Sequence, residues 1–137
     1  MKIMTLNAHS HGVDLPENVF RENLDGLAEC IVRQQVDVIA MQEVCQTREA
    51  GIVSQEEIHG YVPAGGAAVI RQDNYAWQLL RRLEDKGRQY HWIWENIKIG
   101  YGIFDEGLAL VSKFPIEKAE AYYLSDSRDY QNWKTRK

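Results

Sequence analysis

Val36-Asp37-Val38-Ile39-Ala40-Met41-Gln42-Glu43-Val44 decides how the chain is read. It is nearly all apolar until Gln42 and Glu43, the pattern of a strand covered on both faces. Ahead of it, Phe20, Leu24, Leu27, Ala28 and Ile31 recur at helical spacing and predict a helix running to Gln35. Asp14-Leu15-Pro16-Glu17 supplies the helix start: an acidic cap, an early proline and a Glu three residues on. Further upstream, Lys2 to Ala8 reads as a strand through Ile3, Met4 and Leu6. Strand, helix and strand in immediate succession make one α/β crossover unit, right-handed by default.

Downstream the pattern loosens. Cys45 to Asp73 has no sustained period and carries Gly51, Gly60, Pro63, Gly65 and Gly66, so it reads as a long loop of the kind that is usually functional or disordered. Asn74 to Gly87 predicts a second helix, with Ala76, Leu79, Leu80 and Leu83 on one side and Gly87 as its stop. Tyr90 to Ile99 reads as a strand, Gly100 to Gly107 as a loop, and Leu108 to Ser112 as a buried strand closed by Lys113-Phe114-Pro115. Glu117 to Leu124 reads as one more strand. With no internal repeat and no linker, the expectation is one domain of α/β class, of the α+β type, with a mixed sheet flanked by helices.

The 137 residues are 45% hydrophobic and 26% charged, enough apolar side chain to exclude disorder. No run approaches the roughly 18 apolar residues of a membrane span. The opening Met1 to Asn7 lacks the apolar core of a signal peptide, so a cytoplasmic chain is expected. Cys30 and Cys45 make neither a disulfide framework nor a metal-binding pair. The net charge is −4, and the basic residues gather only locally, around Arg81, Arg82, Lys86 and Arg88 and again from Arg128 to Lys137. Such runs read as a solvated helix face and tail, so a long duplex DNA partner is disfavoured against a small anionic substrate.

Two polar residues close apolar strands: Asn7 the first and Glu43 the second. The carboxyl ends of parallel strands are where α/β folds place ligands. An ionised carboxylate at the mouth of a core needs a partner, and Mg²⁺ suits it, since that cation takes oxygen ligands and keeps several waters. Residue types alone leave two other accounts open: Glu43 exposed to water or paired with Arg48, and Asn7 as a turn residue.

Met4-Thr5-Leu6-Asn7-Ala8-His9, Val38-Ile39-Ala40-Met41-Gln42-Glu43-Val44 and Glu106-Gly107-Leu108-Ala109-Leu110-Val111-Ser112-Lys113-Phe114-Pro115-Ile116 resemble, in this order, the first three motifs of the endonuclease/exonuclease/phosphatase family. The resemblance implies a DNase I-like fold, a four-layer α/β/β/α sandwich of two packed sheets flanked by helices. It implies Mg²⁺-dependent cleavage of phosphoester bonds, with Mn²⁺ as a substitute cation. By position, Glu43 would bind the metal, and Asn7 would lie beside it, as a second metal contact or to orient the phosphate or the attacking water. His9 falls where some members carry an Asp and takes a phosphate-facing role or that of a loop histidine. Tyr101, Glu106 and Arg48 are candidate substrate contacts or surface residues.

The family's later motifs, an Asp-x-Asn, a further Asp and a terminal Asp-His pair, have no counterpart: no His follows His91. Residues 1–137 are therefore expected to be the N-terminal part of such a domain, half of the sandwich, with little or no activity of their own. Expected substrates are a small phosphoester, a nucleotide or a lipid headgroup. The alternative is a non-enzymatic α/β module that binds a partner through an exposed sheet face, with Trp92, Trp94 and Trp133 as anchors or else as core aromatics. A homodimer covering that face is the form it would take for a half-domain.

Overall fold

In the computed structural model, which describes residues 1–11, 15–65 and 68–137, the apolar runs become four strands and two helices. In chain order they are β1 (Ile3–Asn7), α1 (Glu17–Gln34), β2 (Val38–Thr47), α2 (Tyr75–Asp85), β3 (His91–Gly100) and β4 (Phe104–Ser112). The sheet order is β1-β2-β4-β3. β1 lies parallel to β2, and β4 runs antiparallel to both β2 and β3. This is the mixed sheet of an α+β fold.

Leu24, Ala28 and Ile31 of α1 and Ala76, Leu79 and Leu83 of α2 are buried together with Ile39, Met41, Trp92, Trp94 and Val111 of the sheet. Each leucine, isoleucine, methionine or valine side chain among them contributes about 1.5–3 kcal/mol on burial. α1 ends where Gln35 turns left-handed (φ 53°) and the Val36 N–H donates to the Ile31 carbonyl, closing the last turn. At its start Pro16, not an acidic residue, holds the cap position, extended and without a side-chain hydrogen bond; Asp14 lies outside the described residues. α2 starts as expected on Asn74, whose Oδ1 accepts the Trp77 N–H at 3.1 Å.

Two expectations change on the face away from the helices, and an open one is decided. β2 is closed by helices on one face only. On the other face Ala40, Ile93, Leu108 and Leu110 are half-buried and line a cavity of about 600 Å³ together with residues of the segment from Lys118 to Leu124. That segment forms no strand: it is irregular, tied by the Ala121 N–H to the Ala64 carbonyl and the Leu124 N–H to the Arg136 carbonyl. Its alternation has no strand edge to pair with there. Trp92 and Trp94 are core residues, at 0% and 1% exposure, and offer no anchor; Trp133 stays exposed.

The expected loop Gly100 to Gly107 is mostly strand. β3 and β4 form a hairpin whose turn holds Tyr101 (φ 50°) and Gly102 (φ 76°), with the Ile103 N–H donating to the Gly100 carbonyl. Two successive positive φ angles define the type I′ turn that matches strand twist. The long loop begins only after Thr47 and is tied down, by the Val53 N–H to Ile70 and by the exchange of Gly60 and Val62 with Trp92.

Candidate active site

The strand that was expected to end at Glu43 does not end there; it bulges. Met41 pairs with Ala109 and Val44 with Gly107, so Gln42 and Glu43 together oppose Leu108 alone. Glu43 itself takes a left-handed backbone (φ 52°), a conformation that disfavours a residue with a Cβ. Bulges re-aim side chains at sheet edges, and this one occurs where β1 stops: Asn7 pairs with Gln42, the last residue before the turn. The amide of Asn7 and the carboxylate of Glu43 are thereby brought side by side from positions far apart in the chain.

Asn7 Nδ2 donates to Glu43 Oε1 at 2.9 Å, and the Asn7 Oδ1 accepts the His9 N–H at 3.0 Å. His9, also left-handed (φ 39°), places Nδ1 3.2 Å from Glu43 Oε2. The Asn7 amide holds the Glu43 carboxyl below its ordinary value, with His9 adding to the effect and partial burial opposing it. The side chain is 41% exposed, so an ionised carboxylate faces solvent with its remaining lone pairs free. Asn7, His9 and Glu43 are thus assembled where β1 ends, beside the bulge within β2.

The other sequence candidates lie elsewhere. Arg48 pairs with Asp105 at 3.6 Å rather than with Glu43, and Tyr130 also bonds that carboxylate. Tyr101 sits at the hairpin tip, 82% exposed. Glu106 is opposite Cys45 and bridges to Lys98 at 3.1 Å. Lys98, between Ile97 and Ile99 of β3, was missed by the sequence reading, though its cationic field also helps keep Glu43 ionised. Cys45, beside Glu43, is inert as a nucleophile, because burial pushes its thiol up to about 12. Among the described residues, no three His, Cys, Asp or Glu gather as a metal cage.

Gly107 gains a physical reason. A Cβ there would stand 2.5 Å from the Glu95 carbonyl oxygen and 2.6 Å from Trp94 Nε1. That space lets the Trp94 indole pass across β4 from β3 and donate to the Val44 carbonyl at 2.9 Å. The residue after Glu43 is therefore gripped from two strands away.

A mixed sheet with helices packed on one face and a polar cluster where β1 ends beside the bulge of β2 is that of an α+β protein of the DNase I-like fold. A solved structure makes that particular: an endonuclease/exonuclease/phosphatase family protein from Leptotrichia buccalis C-1013-b is 33% identical, with a TM-score of 0.79 over 99% of this chain. The chain thus resembles the endonuclease/exonuclease/phosphatase family over 99% of its length. It spans 46% of the length of that solved chain. No protein-family model and no curated protein matches it. Among the described residues, no helix is long and apolar enough to cross a membrane.

Proposed function

We propose that this chain is the N-terminal half of a metal-dependent phosphoesterase, with Glu43 as its cation ligand. The observation that carries the reading is the bulge: a half-exposed, ionised carboxylate on a strained backbone, aimed beside a strand-end amide. The donor set fits Mg²⁺, or Mn²⁺ in its place, because such a cation needs only one or two carboxylates and completes its shell with water and substrate oxygens. When bound, the cation would polarise the phosphoryl oxygen and stabilise charge on the leaving group. Asn7 orients the carboxylate through Nδ2 and keeps one Oδ1 lone pair for the phosphate or the attacking water. His9 holds the second carboxylate oxygen and, being 76% exposed, is free to turn toward a substrate phosphate.

A small phosphoester, nucleotide or lipid headgroup suits a chain of net charge −4 better than long duplex DNA does. Two free cysteines suit a cytoplasmic setting. General acid–base work needs a group within hydrogen-bond reach of the transferred proton, and among the described residues the His9 ring is the one such group bonded to the Asn7–Glu43 pair. The 137-residue chain alone should therefore turn over slowly or not at all.

The test is hydrolysis of a chromogenic phosphodiester with Mg²⁺ by the product of the gene read past Lys137. Glu43→Gln should lower it by at least about 100-fold, the scale of losses at metal sites. Full activity in that variant would overturn the ligand role, and Glu43-dependent turnover by the 137-residue chain would overturn the half-domain part. A second reading follows from the half-covered sheet face: a second copy of the chain docking over Ile93, Leu108 and Leu110. Sedimentation showing only monomer at high concentration would remove it.

A further inference from the structure

The geometry points to Ser10 as the positioning residue that sets the Glu43 bulge, acting as a substitute for the strand that β1 fails to supply. The inference rests on the proposed ligand role of Glu43 for its functional meaning, though not for its geometry. β1 pairs with β2 only as far as Asn7 and Gln42, and the Ala8 N–H then donates to the Gln42 carbonyl. Past that point, β2 would present the Glu43 carbonyl and the Cys45 N–H to empty space on the β1 side. The left-handed turn at His9 brings Ser10 back into the gap.

There Ser10 is 2% exposed and satisfies both groups. Its N–H donates to the Glu43 carbonyl at 3.2 Å and its Oγ–H to the same oxygen at 2.9 Å. Its Oγ accepts the Cys45 N–H at 2.7 Å. A hydroxyl has one proton and two lone pairs, so giving the proton to Glu43 leaves lone pairs for Cys45 and for His11, whose Nδ1 lies 3.3 Å away. Alanine keeps only the backbone donor and orphans the Cys45 N–H inside the protein. The peptide units on either side of the left-handed Glu43 would then lose what holds them against their strain. Serine sits one residue after His9 and three after Asn7, so the same turn delivers both neighbours of the carboxylate.

The test uses the 137-residue chain and Mn²⁺ alone. In the unmodified chain, paramagnetic broadening of amide NMR signals should centre on residues 7–10 and 42–45. Ser10→Ala, confirmed folded by its dispersed spectrum, should need about tenfold more Mn²⁺ for the same broadening. Its Asn7 side-chain amide protons should move upfield, toward the position of a water-bonded amide. Tyr90→Phe is the control, since it removes a different buried hydrogen bond, from the Tyr90 hydroxyl to the Val36 carbonyl; it should lower the melting temperature and leave both signals alone. Ser10→Thr, which keeps the hydroxyl, should restore them.

Wild-type signals in Ser10→Ala overturn the inference, as does a Tyr90→Phe variant that shifts them equally. If Ser10→Ala does not fold, Ser10→Cys, with a weaker donor in the same place, should shift both signals in the same direction by less, and unchanged signals there overturn it too. Absence of any Mn²⁺ effect in the unmodified chain sinks the ligand role of Glu43 instead, and the Asn7 signal alone then decides Ser10.

Discussion

The two halves of β2 are built by different physics. From Val38 to Met41 the strand is regular, its ladder to β1 and β4 unbroken, with Ile39 and Met41 sunk into the core. At Gln42 and Glu43 it bulges, and from there to Thr47 it keeps its ladder to β4 but has lost β1, its backbone held also by side chains from elsewhere: Ser10 on Glu43 and Cys45, Trp94 on Val44, Asp73 on Thr47. The buried Gln46 side chain in turn receives the Arg71 N–H and the Asn74 amide. Apolar burial specifies the first half, and hydrogen bonds made to fit one geometry specify the second. The first half tolerates approximate packing, whereas the second requires particular partners.

The largest effect should come from the regular half. Ile39→Ala should cost about 4 kcal/mol in urea unfolding, the scale for emptying a fully buried site, while the folded fraction keeps its Mn²⁺ response. Equal damage to that response would break the distinction between the halves. Next is Gly107→Ala. The new Cβ meets a backbone carbonyl and an indole already committed to Val44, so about 2–3 kcal/mol should be lost. Trp fluorescence should change with it, and the disturbance should spread to Glu43 as Ile39→Ala does not.

Smaller and opposite in sign is Glu43→Gly. Glycine adopts the left-handed backbone freely, so stability should rise by about 1 kcal/mol, while localised Mn²⁺ broadening disappears. A loss of stability would show that the Asn7 and His9 contacts outweigh the backbone strain. Smallest is the pH dependence. The Glu43 carboxyl is depressed in the folded chain relative to its ordinary 4.5, so its stabilising contribution is fully present above that value. It is lost as pH falls through the lower folded value. Measured against Glu43→Gln, the chain's advantage in urea unfolding should hold at pH 7 and shrink toward pH 3.

The regular half was legible in the sequence, because burial leaves a periodic trace: α1, α2, β1 and the first part of β2 fall close to where apolar spacing places them. Asn7 and Glu43 were legible as polar residues closing apolar runs, and the motif resemblance assigned them a family that the solved structure bears out. The bulge was not legible. One extra residue moves the buried phase from Ile39 and Met41 to Val44 and Gln46, but in a run that is apolar nearly throughout that shift leaves little trace, and nothing in Gln42-Glu43-Val44 announces a positive φ. Ser10 was hidden for a similar reason, since a serine in the polar run after Asn7 looks like loop. Glu117 to Leu124 misled in the other direction: its alternation of polar and apolar residues has the period of a strand, but a strand also needs an edge with free N–H and C=O groups.

All three side chains of the candidate site, with Ser10, belong to the first 43 residues, within the β1-α1-β2 unit. The indole that steadies the next peptide and the glycine that lets it through arrive only at Trp94 and Gly107. The site is therefore not divisible where its residues are. A peptide ending after β2 would carry every group that faces the proposed cation and lack the hairpin that gives β2 its second ladder. During synthesis the carboxylate and its amide partner emerge early, and the bulge that holds them takes its final shape only when Trp94, 50 positions after Val44, has closed over β2.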